Sequence, residues 1–272
     1  MDVKLGICNF CVPGTGVFAP KFVKECGLDG MSIDFGTFEQ GFPLGQVRMQ
    51  EAYLEAKGIY EIEYRNIGCS GYDDIPFAAE TGHPLGEAAD ILWRGAVDAA
   101  DYMGIPLVFI PLFRQSSIRT EQELKTAALR FRKICDYAAE KGICIACESE
   151  MTVNHQLMLV ELVDKENFGI FYDNANHLYF KDMDGYEVLK AVYPYIGDQL
   201  HLKDSTKGCL ANAVVGTGIT RFYEVVNFLK EKNYSGWIIL ENLYERKDMW
   251  DIHTDRYEIM KMDVEALRRA VR

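Results

Sequence analysis

Short apolar runs alternate with longer amphipathic stretches along the whole chain. Eight runs read as strands: Val3-Lys4-Leu5-Gly6-Ile7, Gly30-Met31-Ser32-Ile33-Asp34, Tyr60-Glu61-Ile62-Glu63-Tyr64, Leu107-Val108-Phe109-Ile110, Cys144 to Glu148, Gly169-Ile170-Phe171-Tyr172-Asp173, Gln199-Leu200-His201-Leu202 and Trp237-Ile238-Ile239-Leu240-Glu241. Several are apolar on both faces, as parallel strands covered on both sides are. Between them the period lengthens to that of a helix. The clearest case spans about residues 121–141, where Leu124, Ala127, Ala128, Phe131, Ile134, Cys135 and Ala138 fall on one face. Thr120 and Glu123 form a capping-box pattern at its start, and Gly142 follows its end. Further helices are expected from about Glu87 to Met103, through Phe222, Val225, Val226 and Leu229, and over about 254–270.

Strands alternating with helices predict a parallel sheet. Eight such repeats in 272 residues predict an α/β chain folded as a (β/α)8 TIM barrel, the last helix closing the outer ring. An open dinucleotide-binding sheet suits the chain less well. No GxGxxG follows the first strand, and Gly14-Thr15-Gly16 lacks the third glycine. With no low-complexity linker or composition shift, residues 1–272 are expected to form a single domain.

Composition narrows the function. Hydrophobic residues make up 49% and charged residues 26%, enough apolar material for a full core and unlike disorder, collagen or coiled coil. The net charge of −12 repels phosphate backbones, and no Lys/Arg run is long enough to override it. Arg268, Arg269 and Arg272 read as a solvated helix end. No nucleic-acid partner is therefore expected. Nor is a membrane partner, since no 18 consecutive residues are apolar. Met1 to Leu5 enters the first strand without a signal-peptide pattern, so a cytoplasmic location is expected. Of the 8 cysteines, Cys8 and Cys11, and Cys144 and Cys147, have CxxC spacing. A four-thiolate zinc site is disfavoured, because an offset of three inside a strand puts Cys144 and Cys147 on opposite faces. Reduced, mostly buried thiols are expected instead.

The chemistry sits at strand ends. In the second half, four successive apolar runs each stop at one residue able to bind a metal: Glu148, Asp173, His201 (after Gln199-Leu200) and Glu241. In a barrel the C-terminal strand ends converge on one face, where active sites lie. Three carboxylates buried together need a cation. Carboxylates with one imidazole suit a divalent ion such as Mn2+, Mg2+ or Zn2+. Glu150 shares strand parity with Glu148 and competes with it. Lys203 reads equally well as a holder of a substrate oxygen or phosphate and as a strand-end lysine paired with Asp204. Asn154 and His155 are placed in the loop after the fifth strand as pocket-lining candidates. His83, His253 and Trp250 are placed in loops of the same face, and Phe222-Tyr223 reads as packing.

The stretches Gln199-Leu200-His201-Leu202-Lys203-Asp204, Val215-Gly216-Thr217-Gly218-Ile219 and Gly236-Trp237-Ile238-Ile239-Leu240-Glu241 resemble the sugar isomerase/epimerase superfamily with a xylose-isomerase-like barrel. Its members include ketose 3-epimerases, hydroxypyruvate isomerases, inosose dehydratases and endonuclease IV-type repair enzymes. The resemblance implies that Glu148, Asp173, His201 and Glu241 ligate one divalent metal ion, and that Glu148 and Glu241 double as acid/base groups. It implies an enzyme of carbohydrate metabolism acting on a sugar or polyhydroxy ketone, and it is compatible with a homodimer. Where ketose epimerases carry a His, three positions after the strand-six Asp, this chain has Asn176, followed by His177; both are candidate substrate contacts with Lys203 and Asn154. The expected reaction moves a proton through a metal-stabilised enediolate, giving an epimer or an aldose–ketose isomer. A dehydratase of inosose or dehydroshikimate type is the alternative. The repair-endonuclease branch is disfavoured by the 5 His and the acidic charge. A non-catalytic sugar-binding barrel is disfavoured by the retained glutamate pair.

Overall fold

The structure is a computed structural model that describes every residue except Thr15, so the middle of the Gly14-Thr15-Gly16 triplet lies outside the described residues. The strands are β1 (Lys4–Cys8), β2 (Gly30–Asp34), β3 (Glu63–Gly68), β4 (Leu107–Leu112), β5 (Cys144–Ser149), β6 (Phe168–Asp173), β7 (Ile196–Leu202), β8 (Asp204–Thr206), β9 (Cys209–Ala213) and β10 (Trp237–Leu240). The helices are α1 (Ala19–Glu25), α2 (Val47–Tyr60), α3 (Pro84–Met103), α4 (Glu121–Ala139), α5 (Val153–Val163), α6 (Asn176–Lys181), α7 (Gly185–Val192), α8 (Phe222–Glu231) and α9 (Arg256–Val271). Eight strands close into a barrel in the order β1-β10-β7-β6-β5-β4-β3-β2, while β8 and β9 pair separately as an antiparallel hairpin. The expected (β/α)8 TIM barrel is the fold. Among the described residues no helix is long and apolar enough to cross a membrane.

Packing groups the chain into two compact units. Met1–Ser32, Ala56–Tyr64 and Tyr172–Arg272 form the first. Here β10 lies between β1 and β7 in parallel register, with Ile7 beside Leu240 and Ile239 beside His201. Its buried apolar groups include Ile7, Leu200, Ile238, Ile239, Val225 and Leu267. Ile33–Glu55 and Arg65–Phe171 form the second unit. There β4, buried at all six positions, pairs with β5, and Phe109 stacks on Phe171 with ring centroids 4.5 Å apart.

The capping box of α4 is present: Glu123 N–H donates to Thr120 Oγ1 at 3.1 Å and Thr120 N–H to Glu123 Oε2 at 2.9 Å. Every residue of its expected apolar stripe is buried, and Arg130 is buried with them. This arginine is tolerated because its guanidinium pairs with Asp90 at 3.0 Å and donates to the carbonyls of Phe77 and Ala79.

One expectation needs correction, and one element had no local signal. The third strand is Glu63–Gly68, not Tyr60–Tyr64. Tyr60 ends α2, and Glu61 turns the backbone into the left-handed region at φ 51°. The Tyr-Glu-Ile-Glu-Tyr alternation imitates a strand although it straddles a helix end, a turn and a strand start. The hairpin after β7 was also not foreseen. Gly208 supplies its turn at φ 78°. The cysteines are free thiols, six of them buried, and Cys144 is exposed where Cys147 is buried, as the strand offset predicts.

Candidate metal centre

Strand register in the first unit assembles the site. His201 lies in β7 and Lys203 two residues on, so the two share a face. Leu202 is level with Leu240, and Glu241 N–H donates to the Leu202 carbonyl at 3.1 Å, which brings Glu241 to the same layer. Asp173 ends β6. One ligand atom each from Asp173, His201 and Glu241 lies within 4.8 Å of the others.

The electrostatics are those of a buried and a partly buried carboxylate held by cations. Lys203 Nζ lies 2.5 Å from Glu241 Oε2 and 3.3 Å from Asp173 Oδ2, and His201 Nδ1 lies 3.3 Å from Glu241 Oε2. Burial pushes the Glu241 carboxyl up, but the charge of Lys203, then that of His201, outweighs it and holds the group down at about 2. Asp173 uses its two oxygens differently. Oδ1 accepts from the N–H groups of Ala175 and Asn176 at 2.8 and 2.7 Å, fixing the entry to α6. Oδ2 is buried and accepts no hydrogen bond among the described residues, although the Lys203 ammonium faces it. A buried carboxylate oxygen without a hydrogen bond, a second carboxylate and an imidazole make a donor set that fits a divalent cation.

Lys203 is not paired with Asp204, as one sequence reading had it. Asp204 is saturated by local donors: the N–H groups of Ser205, Gly216, Gly218 and Thr220 and the Thr220 hydroxyl, at 2.8 to 3.2 Å. It ties down the Val215–Ile219 motif. A Cβ on Gly218 would come within 2.3 Å of Asp204 Oδ1, which explains that glycine. Asn242, next to Glu241, is clamped in turn. It accepts from Asp204 N–H at 3.0 Å and donates to the Ala213 carbonyl and Asp263 Oδ2, each at 2.7 Å. Asp263 also accepts from Val215 N–H and the Tyr244 hydroxyl at 2.7 and 2.6 Å. Sequence reasoning missed this network. Its signal was Asp263, a charged residue on the apolar stripe of Met260, Val264 and Leu267.

A second missed residue is Cys8, whose Sγ lies 3.4 Å from His201 Nε2. Spacing paired Cys8 only with Cys11, and the two thiols do hydrogen-bond. The contact with His201 bridges 193 positions and was invisible to local spacing.

In the second unit, Glu148 is buried near the end of β5, level with Pro111 of β4. Glu150 is buried too, but its Oε1 takes a hydrogen bond from Ser117, which draws it toward the loop after β4. Asn154 and His155 lie in the first turn of α5, not in a loop, because Thr152 caps that helix by accepting from His155 N–H at 3.3 Å. Asn154 is exposed there. His83 is the N-cap of α3, accepting from Leu85 N–H, and is not a free loop residue. In the first unit, Asn176 and His177 are buried in the first turn of α6, His253 is exposed, and Trp250 stacks under the Arg256 guanidinium. Phe222 is buried and meets exposed Tyr223 edge-on, in keeping with packing.

A family model described as a xylose isomerase-like TIM barrel matches residues 20–270. A 2-epi-5-epi-valiolone 7-phosphate 2-epimerase of Actinoplanes sp. is 24% identical over 221 residues, covering 80% of this chain and 78% of that protein. An inosose dehydratase of Bacillus anthracis is 27% identical over 157 residues, about half of each chain (50% and 52%). Among solved structures, a D-allulose 3-epimerase from Methylomonas sp. in complex with D-allulose superposes with a TM-score of 0.77 at 16% identity, over 99% of this chain and 97% of that one.

Proposed function

This chain belongs to the xylose isomerase-like TIM-barrel family, and on that premise we propose that it is a divalent-metal-dependent isomerase or epimerase of a sugar or small polyhydroxy ketone. The observation that carries the reading is the Asp173–His201–Glu241 set, Asp173 and His201 buried and Glu241 partly so, with one buried carboxylate oxygen that accepts no hydrogen bond. Asp173, His201 and Glu241 would hold the ion. Glu148, the buried carboxylate of β5, the strand next to β6, is the fourth ligand in this proposal. A bound Mn2+, Mg2+ or Zn2+ would polarise a carbonyl and lower the cost of negative charge on the carbon beside it.

The residues then divide the work. Glu241, ionised beside Lys203 and His201, is the proposed acceptor of the proton from carbon, and Lys203 the proposed holder of a substrate oxygen or phosphate. Glu148, carrying a proton of its own, would deliver that proton from the other side of the substrate, leaving the abstracted one on Glu241. Delivery to the opposite face of the same carbon gives an epimer, and delivery to the neighbouring carbon an isomer. Asn176, His177 and Asn154 are proposed substrate contacts. The relative that acts as a 2-epimerase supports this reading. The similarity to an inosose dehydratase favours a second one, in which the same proton abstraction is followed by loss of water.

The test is to load the protein with Mn2+ and incubate it with a panel of ketoses and inososes in D2O, following exchange by NMR. Deuterium at C3 supports epimerisation, deuterium at C1 or C2 with aldose formation supports isomerisation, and a dehydrated product supports the second reading. Absence of exchange and of product across the panel, with metal bound, overturns the proton-transfer proposal. His201→Ala is expected to lose most of the bound metal. Undiminished occupancy in that variant would mean that the ligand set is wrong.

A further inference from the structure

The two nitrogens of the His201 imidazole meet different neighbours. Nδ1 lies 3.3 Å from Glu241 Oε2, and Nε2 lies 3.4 Å from Cys8 Sγ. A ligating imidazole binds an ion through one nitrogen, while the partner of the other nitrogen fixes the ring. We propose that Cys8 is the positioning residue of His201: its thiol holds Nε2 and leaves Nδ1 as the nitrogen that meets a metal ion beside Asp173 and Glu241.

This rests on the metal-binding reading above and adds to it a residue from the opposite end of the chain. Cys8 is the last residue of β1, and β1 pairs with β10, the strand that delivers Glu241. Both Cys8 and His201 have no exposed surface, so water cannot substitute for the thiol. The Cys11 thiol on the following turn hydrogen-bonds Cys8 and restrains the sulfur further. A thiol also suits the task chemically. It both donates and accepts, so it can partner Nε2 with or without a proton on that nitrogen. With Nδ1 engaged by an ion, Nε2 carries the hydrogen and the sulfur accepts it. Cys8 Sγ also lies within 4.8 Å of a ligand atom of His201 and of Glu241, so the sulfur is assigned the positioning role and a ligand role is left for the experiment to reject.

The experiment measures Mn2+ affinity by electron paramagnetic resonance for the wild type, Cys8→Ala, Cys8→Ser and Cys11→Ser. Cys8→Ala is expected to weaken binding by roughly 10- to 100-fold, the usual cost of losing the outer partner of a ligating histidine. Cys8→Ser should restore most of the loss, and Cys11→Ser should bind almost as the wild type does. Wild-type affinity in Cys8→Ala overturns the proposal. Cadmium-loaded wild type needs no variant and should show no thiolate-to-cadmium absorption band. A band that Cys8→Ala removes makes Cys8 a ligand and also overturns it. Should the wild type bind no divalent ion, the metal reading fails, and the 15N shifts of His201 in the metal-free protein decide the inference alone. A change at Nε2 in Cys8→Ala that Cys8→Ser reverses supports it, and an unchanged Nε2 overturns it.

Discussion

Asp263 is an acid on an apolar helix face, and the structure shows why it is there. It collects Val215 N–H, Asn242 and the Tyr244 hydroxyl, and so holds the residue next to Glu241. Burial pushes its carboxyl up to about 6 from an ordinary 3.8; the three hydrogen bonds work against that shift, and the Asp204 charge adds to it. The sign of the effect on stability follows. Below 3.8 both folded and unfolded chains carry the proton, so the group is neutral in its effect. Between 3.8 and about 6 the unfolded chain releases the proton while the folded chain keeps it, so stability falls as pH rises. A shift from 3.8 to about 6 corresponds to roughly 3 kcal/mol, fully lost above the upper value. Asp263→Asn removes this slope along with some of the hydrogen bonding. Urea titrations across pH should therefore show the stability advantage of wild type over Asp263→Asn shrinking from acidic to neutral pH, then levelling. A constant or growing advantage over that range would contradict the buried, proton-retaining acid.

At the scale of the elements, local chemistry sets where helices begin. Thr120 and Glu123 satisfy each other's backbone N–H groups at the start of α4. Thr120→Ala is expected to cost about 1 kcal/mol in chemical denaturation, and Thr120→Ser to cost much less. Equal stability of the alanine variant would show that tertiary packing alone fixes this end. The same element shows what was legible in the sequence. Caps, glycine stops and a 3.6-residue stripe are local signals, and α4 was readable from them almost to the residue. Strand ends carrying Asp173, His201 and Glu241 were readable because apolar runs stop there. The third strand was misplaced because a helix end and a strand start joined into a false alternation at Tyr60–Tyr64. The partners of Lys203 and Cys8 were unreadable for a different reason. They are set by register between strands far apart in sequence, such as Ile7 beside Leu240 and Leu240 beside Leu202, which no single segment encodes.

At the scale of the whole molecule, the two compact units do not respect the strands. Their boundaries fall after Ser32 inside β2, after Glu55 inside α2, after Tyr64 inside β3 and after Phe171 inside β6. The chain runs unbroken through each of these elements, so neither unit ends at a linker. We therefore expect residues 1–272 to unfold as one cooperative domain. The tryptophans supply independent probes: Trp237 is buried in the first unit and Trp93 in the second. Variants that retain only one of the two, with the others changed to Phe, report each unit separately by fluorescence. Their urea midpoints, each compared with the far-ultraviolet dichroism of the same variant, should coincide within each variant. A fluorescence midpoint well below the dichroism midpoint in one variant would show that unit melting first. The single-domain reading would then give way to two.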